Sequence, residues 1–503
     1  MRISLPILPS IIVGSALSLL ACGSSGTELG GPDGGSHGDG GSVPEDSQQF
    51  PDVIEEGTKL EGGFVEGFHA PFPQIPYQNG GEILAPQLVT VTFQGDPFTE
   101  QLVAFGQTVE ESMWWTTVTA GYCEGKGGSC ISAGAAPTSV VYPGTPAKSY
   151  TDSTLGGPSS LKTWLAASIM SGDLPAPAPG DISNTLYLLY FPASTLISLD
   201  GASGCDNAEG YHAAMMYEGQ QVAYSVISEC AGAGMGVPPI TTLQGTTITA
   251  SHEIIEAATD PSDITTGYYL NLNDPSTYGW NDIEGGEVAD MCVDVFGFDQ
   301  DEWNEGGFTV QRIWSNAQAA AGLDPCAPIT TENVYFNAAP IQSYFVIDVG
   351  SSLTFEVDAF SVGARDSWTL TAQDWSDYAK NPYLTFSIVG GTVDKNLGDI
   401  ITVNNGSRVQ IKMTLEQDPG NSYNGEADGA IISFTGDMTK APASYWPFIV
   451  MSPADAIDAG FDGSVSSGSK RGRVKRTARP VSAASLELLP GVERLRARWL
   501  ARR

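Results

Sequence analysis

Between residue 84 and about residue 328, short apolar runs alternate with stretches of helical spacing. Residues 88–93 (LVTVTF) read as a strand between Pro86 and Gly95, after which Leu102, Phe105, Val109 and Met113 recur at helical intervals. Further along, 139–142 reads as a short strand, 161–170 as a helix, 186–191 and 222–227 as apolar strands, and 246–259 as a helix. Strand and helix in alternation predict a mixed α/β domain over 81–328. After Pro328 the period shortens. Segments 353–357, 384–389, 401–403, 409–415, 431–434 and 448–451 are strand-like and separated by Gly, Asn and Pro turns, which predicts an all-β sandwich over 329–455.

Composition adds a compartment. Met1-Arg2 precedes an apolar run ending in Leu19-Leu20-Ala21-Cys22, the layout of an export signal, and these four residues resemble the bacterial lipobox in which the Cys is acylated. The expected segments are therefore a signal over 1–22 with lipid on Cys22 and a Gly/Ser/Asp/Pro-rich tether and lead-in over 23–80. Export and anchoring at the cell envelope by that lipid follow. The remaining six cysteines form an even set, and sequence proximity favours Cys123 with Cys130, Cys205 with Cys230, and Cys292 with Cys326. No C-x-x-C occurs, which disfavours a thiolate zinc site.

Net charge is −35, a field that repels phosphate backbones and excludes nucleic acid as a partner. The basic residues crowd into the end of the chain: eleven of the 23 Lys and Arg lie from Lys470 onward, so 456–503 reads as a basic, disordered tail.

Only four histidines are present, and one opens the string SHEIIEAATDP at 251–261. On a helix His252 and Glu256 lie one turn apart on one face, within reach of one metal ion, with Glu253 beside it. In H-E-x-x-H metallopeptidases the Glu after the first ligand is the general base, and here Glu256 stands where the second His would be. The acidic segment 280–292 offers Glu287 as third ligand, with Asp290 behind it as a carboxylate supporting the ligands; Asp260 is the alternative third ligand. His212 is a candidate ligand or oxyanion partner, and equally a structural hydrogen-bonder. A buried hydrogen-bonding histidine on an ordinary helix is the plain alternative for His252. His37, in the tether, and His69, in the Pro-rich lead-in, suggest no role. Trp114 and Trp115 read as core.

The strings SHEIIEAATDP, GEVADMC (286–292) and VQRIWSN (310–316), in this order, resemble a family of secreted bacterial proteins similar to the plant phosphate-induced/EXORDIUM proteins. The resemblance extends over about 80–328 and implies a zincin-like α/β fold with an H-E-x-x-E site. The expected function is a zinc-dependent metallohydrolase, most simply a peptidase: Zn held by His252, Glu256 and Glu287, Glu253 as the base, and a peptide or protein as substrate. The competing expectation is a non-catalytic surface lipoprotein whose carboxylates hold a structural cation such as Ca²⁺ while the sandwich binds wall polysaccharide or a protein partner.

Overall fold

The computed structural model describes residues 64–456 apart from 124, 126–127, 136, 154–156, 179, 201, 204, 206–209, 231–239, 263–264, 271–276, 293–301, 330–333, 377–381, 420–425, 437–442 and 455. The signal with Cys22, the tether and the basic tail lie outside these residues.

The helix that carries the His-Glu motif, Thr242–Thr259, begins at a capping box. Thr241 Oγ1 accepts from Gln244 N at 3.2 Å and Gln244 Oε1 accepts from Thr241 N at 2.9 Å, which satisfies two donors that a helix start leaves bare. It ends at Asp260, where Pro261 follows. Every residue from Gly245 to Thr259 is buried. Thr246 bonds back to Thr242 O at 2.8 Å and Thr259 to Ile255 O at 2.9 Å, whereas Thr247 reaches out to Thr309 O at 2.7 Å.

This helix packs on a five-stranded sheet in the order Thr138–Tyr142, Gln87–Phe93, Thr185–Pro192, Gln220–Glu229, Gly210–Tyr217. The first four strands are parallel, and the last is an antiparallel edge strand. Its hairpin turns on Glu218 and Gly219, both at positive φ, the two-residue geometry that matches strand twist. The strand bearing His212 is absent from the sequence expectation, which placed that residue just ahead of the 222–227 strand. The helix expected across 102–113 is also divided. Thr99–Thr108 gives way to a 3₁₀ turn, Val109–Glu111, and a new helix, Met113–Thr119, starts where Ser112 Oγ accepts from Trp115 N at 3.1 Å.

The region after residue 333 is a β-sandwich. Its four-stranded sheet runs Phe336–Pro340, Ser352–Ser361, Arg408–Leu415, Leu384–Ile388, and its six-stranded sheet runs Tyr344–Val346, Ala443–Met451, Ala427–Phe434, Trp368–Asp374, Gly398–Val403, Thr392–Asp394. Inward aromatics join the faces, with Phe336 5.3 Å from Trp368 and Phe355 5.7 Å from Phe448.

The two regions share one core. Trp280 of the first region meets Trp446 of the sandwich at 5.4 Å, and Trp314, 5.3 Å from Trp280, lies in the same buried cluster as Trp446 and Phe360. Phe72, 4 % exposed, sits among them at 5.4 Å from Trp446. Residues 64–80, expected as part of the tether and lead-in, are thus a strap across both regions. Burial of Phe72 and Ile75 holds it there, together with the paired bonds between Ile75 and Asn316 at 2.8 Å each. His69 belongs to this strap, stacked on Phe360 at 3.7 Å.

Candidate metal centre

The buried helix points three ionisable groups at one place. His252, Glu253 and Glu256 are 1 %, 2 % and 1 % exposed, and charge this deep persists only when paired or bound to a cation. His252 Nε2 stands 3.0 Å from Glu256 Oε2 and 3.6 Å from Asp290 Oδ1. From the edge strand, His212 Nδ1 stands 3.4 Å from Glu253 Oε2 and 3.5 Å from Glu256 Oε2. Two ligands on one tetrahedral ion, each bonded at about 2.1 Å, lie about 3.4 Å apart. All four separations fall close to that value.

His252 Nε2 and Glu256 Oε2, both buried, face other ionisable groups: each other at 3.0 Å, Asp290 Oδ1 at 3.6 Å from the nitrogen and His212 Nδ1 at 3.5 Å from the oxygen. A buried cluster of imidazole and carboxylate atoms at these separations could hold a cation. The donors, imidazole and carboxylate, suit zinc and other divalent ions of intermediate hardness.

Gln311 builds the second layer. Its Oε1 lies 2.9 Å from His252 Nδ1 and therefore accepts that ring's proton, leaving Nε2 as the lone-pair nitrogen toward the site. The amide donates to Ala289 O at 2.7 Å, next to Asp290; its backbone N–H donates to Ser251 Oγ at 2.9 Å; and its carbonyl accepts from Trp114 Nε1 at 2.6 Å. One residue thereby ties the helix, the Asp290 turn and the first core tryptophan together. The string 310–316 was singled out in the sequence without a role for Gln311, because nothing in its spacing shows that the strand Phe308–Gln311 lies against the helix. We expect Gln311→Ala to weaken cation affinity by about 10- to 100-fold, the usual effect of losing a group that orients a ligand histidine. Competition with a chelating dye measures it, and unchanged affinity would mean that packing alone sets the ring.

Asp290, expected behind Glu287, stands among the mutually close ligand atoms, and Glu287 does not. Asp290 opens the 3₁₀ turn Asp290–Cys292, and its N–H donates to Glu256 Oε1 at 3.3 Å, which delivers its carboxylate beside His252. The groups whose ligand atoms lie within 4.8 Å of one another are His252, Glu256, Asp290 and His212, Glu253, Glu256. Glu287 is in neither group, but it lies within electrostatic reach of Glu256, His212, Asp290 and Asp260. Asp260, the alternative third ligand, caps the helix and likewise joins neither group.

The electrostatics follow from this crowding. Burial disfavours the His252 imidazolium, but the Glu256 carboxylate outweighs it and raises its pKa to about 10. Burial works against the Glu256 carboxylate too, and the two histidines still hold it down at about 2. Burial pushes Glu253 up against the opposing pull of His212, and it pushes Glu287 and Asp290 well up with Glu256 adding repulsion. Close approach of the edge strand is possible because Gly210 has no side chain, as a Cβ there would lie 2.9 Å from Glu253 Oε1 and 2.5 Å from Thr249 Cγ2.

All three cysteine pairs expected from spacing are formed: Cys123–Cys130, Cys205–Cys230 and Cys292–Cys326. The last fastens the Asp290 turn to the short ladder in which Cys326 faces Trp314. Trp114 and Trp115 are core, both essentially unexposed.

No family model matches the chain, and no curated protein does. Among solved structures it is similar over part of its length to a conjugative transposon lipoprotein from Bacteroides eggerthii, with 8 % identity, 23 % of this chain and 95 % of that chain covered, and a TM-score of 0.17. It is similar also to domain 1 of VCBP3 from Branchiostoma floridae, with 6 % identity, 24 % and 96 % covered, and a TM-score of 0.16. A third is the human F-spondin reeler domain, with 13 % identity, 25 % and 91 % covered, and a TM-score of 0.15.

Proposed function

We propose that this chain is a zinc-dependent hydrolase that cleaves peptide bonds outside the cytoplasm. The observation that carries the reading is the buried cluster in which His252 Nε2 stands 3.0 Å from Glu256 Oε2 and 3.6 Å from Asp290 Oδ1. His252, Glu256 and Asp290 would hold the ion. When bound, it supplies Lewis-acid polarisation of the scissile carbonyl and lowers the pKa of water. Glu253 would hold the proton released by the attacking water at its carboxylate, which burial makes more basic than an ordinary glutamate. His212 steadies that carboxylate through Nδ1 at 3.4 Å and places positive charge where an oxyanion develops, since Glu253 and Glu256 keep it protonated against burial. A His-Glu pair on a buried helix under an antiparallel edge strand supports a zincin-like character and, with it, the EXORDIUM-like kinship.

Three disulfides support export to an oxidising compartment, and anchoring through lipid on Cys22 completes the reading. Among the described residues no helix is long and apolar enough to cross a membrane. Digestion of a peptide library by the full chain, with and without a chelator, tests the activity. We expect cleavage that the chelator abolishes and zinc restores; absence of cleavage under saturating zinc overturns the hydrolase reading.

The carboxylate-rich ring favours one alternative, a structural cation such as Ca²⁺ in a non-catalytic surface protein that binds wall polysaccharide or a protein partner. It predicts binding of the cation without turnover.

The site carries a pH signature. Cation uptake needs a neutral imidazole, so below about 10 each pH unit costs up to about tenfold in apparent affinity from His252 alone. In the ion-free chain the sign reverses. With its pKa raised from 6.5 to about 10, His252 contributes stability fully below pH 6.5 and loses it as pH climbs toward 10. Thermal melts at pH 6 and pH 9, with zinc and with chelator, should therefore show a zinc-induced gain that is larger at pH 9. An equal gain at both pH values would contradict proton–cation exchange at this ring.

A further inference from the structure

We propose that the centre has a second cation site, formed by His212, Glu253 and Glu256, whose occupancy silences the proton transfer. The inference rests on the hydrolase reading above and concerns the same cluster of side chains. Glu256 belongs to both sets of mutually close ligand atoms, while the two histidines fall in different sets. Two nitrogens bound to one ion at about 2.1 Å stand at most about 4.2 Å apart, and each set spans no more than 4.8 Å, so the histidines divide between two positions instead of serving one. His212 Nδ1 to Glu253 Oε2 at 3.4 Å and to Glu256 Oε2 at 3.5 Å are separations of neighbouring ligands on a tetrahedral ion. A carboxylate shared by two ions is a recurring device of two-metal sites, whose ions sit about 3.5–4 Å apart.

The two positions are not equivalent. His252 is oriented by Gln311 on its far nitrogen and is 1 % exposed, whereas His212 lies at the rim at 9 %. The inner set therefore fills first. With Glu253 and His212 both engaged as ligands at the outer set, neither is free to accept or steady a proton, and activity falls as the cation rises beyond the first equivalent.

Calorimetric titration of the metal-free full chain with Zn²⁺ alone, with bound metal measured after desalting, tests this without any substrate. Wild type should take up two ions, the second with at least about 100-fold lower affinity, and both His212→Ala and the isosteric Glu253→Gln should lose the weak class while keeping the tight one. Saturation of wild type at one ion, with His212→Ala and Glu253→Gln indistinguishable from it, overturns the second site and leaves the hydrolase reading standing. Absence of any zinc binding overturns both.

Discussion

Glu253→Gln should lower hydrolysis by about 10²- to 10⁴-fold while the tightly bound cation is retained, the range expected when a positioned proton acceptor is removed. Glutamine keeps the shape and the contact with the edge strand, including the close approach at Gly210, but cannot take a proton. Retention of the ion follows because the inner set is His252, Glu256 and Asp290, without Glu253. The loss should appear in kcat rather than in KM, since the carboxylate acts in the chemical step. Steady-state kinetics on any peptide identified from a library measures it. Activity within a few fold of wild type would assign proton transfer elsewhere and reduce Glu253 to a partner of His212.

Trp446→Ala should destabilise the protein by about 3–5 kcal/mol, the usual cost of deleting a buried indole from a packed core. Trp446 is 3 % exposed and joins Trp280, Phe72 and Phe360, so its cavity would open where strap, first region and sandwich meet. The consequence extends beyond the sandwich. Trp280 precedes the turn that delivers Asp290 and touches Trp314 at 5.3 Å, so loosening this cluster reaches the segment that completes the cation site. Denaturant unfolding monitored by far-ultraviolet circular dichroism and by bound cation should show both signals shifting together. Val393→Ala, at a residue 84 % exposed, serves as the control with a change under about 0.5 kcal/mol. Loss of the sandwich signal alone, with the cation site unmoved, would show two independent cores.

Much of this was legible before any coordinates. The strand Thr185–Pro192 is apolar throughout, and the helix Thr242–Thr259 carries its motif on a periodic apolar background, so both were read at nearly the right place. Its true start lies four residues earlier, at the Thr241/Gln244 box, because the first turn is polar and resembles a loop. The strand Trp368–Asp374 went unread although it lies inside the six-stranded sheet. Its polar Thr371 is buried and bonds Leu397 O and Asp399 O, so the sequence alternates less clearly than the structure does. In the site, the one-turn spacing of His252 and Glu256 is helical arithmetic and could be read directly. Asp290 beside His252 depends on a 3₁₀ turn, and Gln311 behind it depends on a strand 59 residues away, which no local pattern reveals. The strap over 64–80 was hidden for a similar reason: Phe72 and Ile75 sit among prolines and glycines that read as a linker, and only their distant partners show why they are buried.

The central claim is that His252 and Glu256 face each other to hold a cation. Metal content of the purified full chain, after equilibration with trace zinc and removal of unbound metal, tests it most directly by comparing wild type with His252→Ala. The account predicts about one tightly bound zinc per wild-type chain and almost none in the folded variant. Equal zinc in both, or none in wild type, would contradict it.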